Sequence, residues 1–293
     1  MKILLTGANG FTGQHFTALA QQKGHEVVTL HADLTQSEAV KAEVAALQPT
    51  HVLHLAAISF VGHADVREFY DVNLFGTVNL LNAMATLSVP PVAMILASSA
   101  NIYGNCIASP ISESQTPEPS NHYGISKLAM EHAARTYDDR LPIVITRPFN
   151  YTGPGQGLTF VVPKLIDHFS RRAPDIGLGD VGVEREFNDV LFVCEAYLQL
   201  LEHGEAGQTY NVCSGRPYTL QHVIDTLTRI MGHSIKVEVD PAFVRTNEVQ
   251  SLCGNPARLQ TLLATCGITI TNPPLEETLQ RMLTAAPDQS GLQ

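Results

Sequence analysis

Tyr123 and Lys127 stand four residues apart in the run Tyr-Gly-Ile-Ser-Lys. On a helix this spacing puts a phenol and an ammonium on one face. A neighbouring cation favours the phenolate, so the expectation is a tyrosine of lowered pKa that can act as acid or base near neutral pH. A second feature lies at Thr6-Gly-Ala-Asn-Gly-Phe-Thr-Gly13, between an apolar run and a helical pattern. Glycines there let a turn tighten and the backbone approach a pyrophosphate, whose charge the following helix N-terminus favours. A phosphate loop combined with an acid–base tyrosine implies nicotinamide-dependent chemistry on an alcohol or ketone.

These residues need a scaffold, and the hydrophobic pattern supplies one. Strands are expected at Lys2 to Thr6, Val27 to Leu30, His51 to Ala56, Val92 to Ala97 and Pro142 to Thr146. Helical patterns cover Thr12 to Lys23, which Gly24 ends, and the segments 64–88 and 122–139. Strands that are apolar throughout suit a parallel sheet covered on both faces. The expectation is an α/β, Rossmann-type doubly wound domain over residues 1–150. Beyond it, residues 151–293 read as a smaller α/β substrate-binding cap, with segments near 186–212 returning to the first domain. Pro148 to Gly157 is rich in Gly and Pro and reads as loop. Helices follow near Pro163–Arg172, Leu220–Met231 and Leu275–Leu283, strands near Gln208–Val212 and Ile235–Val239, and a frayed tail from Ala286.

A formal charge of −10 without a run of Lys or Arg argues against nucleic-acid binding. The five cysteines are scattered and odd in number, which suits a reduced, cytoplasmic protein better than a disulfide framework. No His, Cys, Asp and Glu cluster has metal-ligand spacing, and His51 and His54 read as part of a buried strand. The N-terminus reads as a strand rather than a signal peptide. No apolar stretch reaches the roughly 18 residues a membrane span needs.

The glycine spacing, with Tyr123 and Lys127, resembles the short-chain dehydrogenase/reductase superfamily. Five further runs resemble its extended branch, the NAD-dependent epimerase/dehydratase family acting on sugar nucleotides. They are His54-Leu-Ala-Ala57, Asn73-Leu-Phe-Gly-Thr77, Ser98-Ser-Ala-Asn-Ile-Tyr-Gly104, Arg147-Pro-Phe-Asn150 and Arg185-Glu-Phe187. The resemblance implies that Ser99, 24 residues before Tyr123, binds the substrate oxygen and that Tyr123 is the general acid or base. Lys127 would hold the nicotinamide ribose. It further implies dinucleotide contacts from Gly7, Asn9, Gly10, Phe11, Thr12, Gly13, His31, Asp33, Leu34, Leu55, Ala56 and Ala57. Asn150, Arg185 and Arg245 would hold the substrate diphosphate, where arginine forks pair well with phosphate. A homodimer through the helix carrying Tyr123 and the one near 72–86 is also implied, with Leu80, Leu128 and Met130 compatible with that face.

Three departures refine the expectation. The second strand ends in Leu30-His31-Ala32 with no Asp or Glu for a ribose 2′-hydroxyl and no Arg or Lys for a 2′-phosphate. Loss of the carboxylate removes a repulsion, so NADPH is favoured slightly, with NADH tolerated. After Ser99 come Ala100 and Asn101, neither of which can take the C5 proton as the dehydratases require. Phe192 stands where the family usually has Asp. Arg147 to Gln156, His203-Gly-Glu-Ala-Gly207 and Tyr210-Asn-Val-Cys-Ser-Gly215 are similar to the GDP-4-keto-6-deoxy-D-mannose reductases. The expected activity is reduction of the C4 ketone of a nucleotide-linked 4-keto-6-deoxyhexose. A nucleotide-sugar 4-epimerase is the alternative, and a non-catalytic dinucleotide-sensing module the alternative outside catalysis.

Overall fold

The protein is described by a computed structural model over residues 1–106, 109–240 and 249–286. Five short apolar strands, β1 (Lys2–Thr6), β2 (Glu26–Thr29), β3 (His51–His54), β4 (Ala93–Ala97) and β5 (Ile143–Pro148), lie parallel in one sheet. A sixth, β10 (Thr209–Val212), pairs parallel with β5, so the order is β10-β5-β4-β3-β1-β2. Because all six run the same way, their carboxyl ends share one edge, and β2 lies at the rim.

Helices cover both faces, as continuous apolar strands require. On one side Phe16 and Ala20 of α1 (Phe11–Gln22) pack with α7 (Val190–His203) and with Leu259 and Leu263 of α9 (Ala257–Thr265). On the other, Val40 and Val44 of α2 (Ser37–Leu47), Leu80 and Met84 of α4 (Thr77–Ala85), and Met130 of α5 (His122–Arg135) cover Leu4, Val52 and Leu96. A short α3 (Val66–Tyr70) and a π-helical turn, Asp71–Gly76, lead into α4.

A separate hydrophobic cluster joins α6 (Val161–Ser170), α8 (Leu220–Met231) and α10 (Leu275–Ala285) around β7 (Asp175–Leu178), which pairs with β12 (Lys236–Val239). Beside it, β8 (Glu184–Glu186) lies between β11 (Pro217–Thr219) and β13 (Ser251–Leu252). The Gly- and Pro-rich run after β5 is not all loop. Tyr151–Thr152 forms β6, paired with β9 (Asn188–Asp189), because two residues suffice to close a backbone ladder there. The helix that carries Phe192 has an equally local cause. Asp189 caps α7 by accepting from Leu191 N at 2.8 Å, and Phe192 joins the core that α7 buries.

Leu80 and Met130, compatible with a dimer face in the sequence, are fully buried inside the chain, and Leu128 is half-buried. Phe75 in the π-helical turn and Ile125 on α5 are left exposed, as is Val66 at the start of α3. Among the described residues, no helix is long and apolar enough to cross a membrane, and no three His, Cys, Asp or Glu side chains gather as metal ligands.

Candidate active site

At the carboxyl end of β1 the glycine loop turns back on itself, Gly10 N donating to Gly7 O at 3.0 Å. Gly7 has a φ of +74°, and a Cβ there would sit 2.9 Å from the Ala56 nitrogen. Only glycine satisfies both demands. A Cβ on Gly13 would strike the Gly7 carbonyl, so α1 can begin only if that position is bare. Gly10 caps α1 with no side-chain hydrogen bond, and the first turn holds no acid. The arrangement leaves helix-terminal N–H groups facing the loop, a ready receptor for phosphate.

Thr6 ties this loop to β3. Its hydroxyl accepts from Ala56 N at 3.1 Å and lies 2.7 Å from Nδ1 of His54. On the far side of the ring Nε2 meets the Thr77 hydroxyl at 2.8 Å, and that hydroxyl in turn donates to Asn73 O. The direction of these bonds makes His54 a neutral ring that donates from Nε2 and accepts at Nδ1. Burial, and then the charge of Lys127, push its pKa down to about 3. Leu55, Ala56 and Ala57 thus stand half-buried beside the glycines.

β4 ends at Ser98 and Ser99. The hydroxyl of Ser98 is buried and finds no partner, while Ser99 caps a 3-10 turn, Ala100–Tyr103. α5 arrives against that turn, since a Cβ on Gly124 would lie 2.7 Å from the Asn101 carbonyl. Asn121 caps α5 through Gly124 N at 2.8 Å, and Asn73 fixes it from the side. The Asn73 amide donates to Ser126 Oγ at 3.0 Å and to Ile58 O at 3.1 Å, while Ile58 N donates back at 2.9 Å.

Tyr123 is buried, with the Ser99 hydroxyl close enough to its phenol to act on it. Its pKa is raised rather than lowered. Burial dominates and the Ser99 hydroxyl only partly opposes it. Lys127 is not among the groups that depress it, contrary to what the four-residue spacing suggested, and its ammonium donates to Ala97 O at 2.8 Å. Burial in turn lowers Lys127 to about 8 against the pull of Glu131. Glu131 is held by Arg147, which donates to both its oxygens, at 3.0 and 2.7 Å.

The sequence residues divide clearly. Ser99, Tyr123, Lys127, the glycine loop and Leu55 to Ala57 come together at the carboxyl edge of the sheet. Asn9 is exposed, and Phe11 stacks on Tyr151 while the Thr12 hydroxyl bonds the Tyr151 phenol at 2.8 Å. His31 is exposed, Asp33 accepts from Thr35 N and Oγ1, and Leu34 is buried. The Thr35 bonds hold the Asp33 carboxyl below the usual range. Asn150 is exposed beyond β5. Arg185 lies half-buried on β8, Nη1 donating to Glu184 O at 2.8 Å, and the adjacent Glu186 is fully buried, accepting from Ser214 and from Gly254 N. Arg245 lies outside the described residues.

Two roles escaped the sequence reading. Asn101 donates to Ser99, and Glu43 reaches the end of β2, accepting from His31 N at 2.9 Å and Ala32 N at 2.7 Å. A glutamate on an amphipathic helix carries no local signal that it caps a strand twelve residues away.

Residues 4–264 match the family described as GDP-mannose 4,6 dehydratase. The chain is 34% identical over 268 residues to the GDP-6-deoxy-D-talose 4-dehydrogenase of Aggregatibacter actinomycetemcomitans, covering 90% of this chain and 91% of that one. It is also 34% identical over 273 residues to the GDP-6-deoxy-D-mannose reductase of Pseudomonas aeruginosa, covering 88% and 89%. Among solved structures it resembles a proposed epimerase from Burkholderia cenocepacia J2315, with TM-score 0.90, 43% identity and 97% of both chains covered. RMD from Pseudomonas aeruginosa complexed with NADPH aligns with TM-score 0.87 and 31% identity over 97% and 98% of the chains.

Proposed function

The chain belongs to the GDP-mannose 4,6-dehydratase family, among the extended short-chain dehydrogenase/reductases, and on that premise we propose that it reduces the C4 ketone of a nucleotide-linked 4-keto-6-deoxyhexose. GDP-4-keto-6-deoxymannose is the substrate favoured by the two relatives, whose names both place redox chemistry on a GDP-6-deoxyhexose. The observation that carries the reading is the Ser99–Tyr123 pair at the end of β4 with Lys127 behind it and only Ala100 and Asn101 following. That set can polarise a ketone and deliver a proton, but it lacks the base that dehydration needs.

The residues present fit a nicotinamide dinucleotide. The glycine cradle and the uncapped start of α1 suit its pyrophosphate, the orphaned Ser98 hydroxyl offers a bond, and Lys127 can reach ribose hydroxyls. Held there, NADPH or NADH would supply the hydride that reduces the sugar C4. Ser99 donates a hydrogen bond to the ketone oxygen. Tyr123, kept protonated by burial, gives its proton as that oxygen becomes an alkoxide. Asn150, Arg185 and Arg245 hold the diphosphate, and residues 151–293 form the cap that orients the sugar. We place the protein in the cytoplasm, as a homodimer that covers Phe75 and Ile125.

The test is absorbance at the nicotinamide band with NADPH, then NADH, and freshly made GDP-4-keto-6-deoxymannose. Stoichiometric loss supports the reductase. No loss with either cofactor, together with NAD recovered from the denatured protein, would instead support a 4-epimerase, the reading favoured by the likeness to the Burkholderia protein.

A further inference from the structure

We propose that Glu43 sets the cofactor preference of this chain toward NADH, by holding a carboxylate at the end of β2 where the 2′-phosphate of NADPH would lie. The inference rests on the dinucleotide reading of the glycine loop. In such folds the adenosine ribose sits at the carboxyl end of the second strand, and an acid at that strand's end binds the 2′-hydroxyl. Here the strand ends without one, in Leu30-His31-Ala32. The carboxylate arrives instead from α2. Glu43 Oε1 accepts from His31 N and Oε2 from Ala32 N, at 2.9 and 2.7 Å.

Two consequences follow. The amides of His31 and Ala32 are the donors a phosphate monoester would use at this strand end, and Glu43 takes both. Its negative charge also stays at a half-buried position, where it repels a dianionic phosphate but can accept from a neutral ribose hydroxyl through a remaining lone pair. Asp33 adds a second carboxylate nearby, with one oxygen already engaged by Thr35. The nearest cation in sequence on α2, Lys41, is two positions from Glu43, a spacing that puts it on a different face of the helix. Lys2 is turned away, donating to Leu47 O at 2.6 Å. The slight preference for NADPH drawn from the strand followed from a missing carboxylate, and α2 restores it.

The test is equilibrium binding of NADH and NADPH to the full chain, read by nicotinamide fluorescence without any sugar substrate. The wild type should bind NADH roughly ten-fold tighter, and Glu43→Gln and Glu43→Ala should narrow the ratio by about as much, chiefly through tighter NADPH. The ratio should also narrow as salt rises to about 0.5 M, since screening weakens a charge repulsion and leaves a packing role untouched. The salt series needs only the wild type, so it tests the charge repulsion even if both variants unfold, and a ratio that salt leaves unmoved would overturn the proposal. Tighter NADPH binding by the wild type, a ratio unmoved in both variants, or a shift seen only in Asp33→Asn would overturn the assignment to Glu43. Failure of the wild type to bind either cofactor would overturn the dinucleotide reading itself, and this inference with it.

Discussion

The Ser99 hydroxyl accepts two hydrogen bonds from Asn101, one from the backbone nitrogen and one from the side-chain amide, each at 3.1 Å. A serine oxygen has two lone pairs, so both are taken and its proton can only be given away. The available takers are the Tyr123 phenol and a ketone oxygen placed beside it. Asn101 therefore does more than fail to be a base. It turns Ser99 into an obligate donor.

Asn101→Ala should then lower kcat for ketone reduction by about ten-fold, less than the roughly 10²–10³-fold of removing a donor outright because Ser99 keeps its hydroxyl and its bond from the backbone nitrogen, while leaving cofactor affinity unchanged. Asn101→Asp should cost more, because a carboxylate would accept the Ser99 proton and pull it from the substrate. Steady-state kinetics on both variants check this. An unaltered kcat in Asn101→Ala would remove the residue from any positioning role.

Much of this site was legible in the chain because its parts are local. The glycine loop, Ser99 at a strand end and the Tyr123–Lys127 spacing each sit within one turn or one helix, where residue type and period carry the information. What stayed hidden was tertiary. Glu43 joins β2 from another helix, Asn73 pins α5 from the approach to α4, and the α7 helix shows no amphipathic stripe because ten of its fourteen residues are buried. The direction of the Tyr123 shift was hidden for the same reason. The four-residue spacing gives the neighbour, but burial, which the spacing does not show, decides the sign of the shift.

Opposite shifts on Tyr123 and Lys127 predict the pH profile. The phenol, raised by burial, stays protonated through neutral and mildly alkaline pH and remains a donor. Lys127, lowered to about 8, loses its charge first. The kcat/KM for reduction should accordingly fall above pH 8, a limb belonging to the lysine of the free enzyme. Tyr123→Phe should abolish turnover while still binding cofactor. A profile flat to pH 10 would show that the Lys127 charge is not required.

Glu131 and Arg147 form a bidentate pair with side chains 7% and 9% exposed, and Arg147 also donates to the Tyr103 phenol at 3.0 Å. Arg147→Met would strand Glu131 in the interior, at a cost of about 3–5 kcal/mol in urea unfolding. Arg147→Met combined with Glu131→Leu should recover much of that, since the stranded charge is gone. Glu131→Gln has a second readout. Glu131 supports the Lys127 charge from one turn away, so the alkaline limb should move below pH 8. A limb that stays in place would confine the pair to stability.

His54 predicts how the protein responds to acid. Its ring is buried and neutral between Thr6 and Thr77, with a pKa pushed down to about 3 from 6.5. Between those two values the unfolded chain binds a proton on this residue that the folded chain does not, so folding loses free energy as pH falls through that window. Nothing is lost above pH 6.5, and for so large a shift the loss amounts to about 4 kcal/mol by pH 3. Glu and Asp residues also titrate in acid, so the comparison is with His54→Gln rather than with theory. The variant should be less stable at pH 7, because Gln cannot bridge the two threonines with the same reach. It should also lose stability less steeply between pH 6.5 and 4.5. Urea unfolding across that range measures both slopes, and equal slopes would mean that another group, not the histidine behind the phosphate loop, governs acid sensitivity.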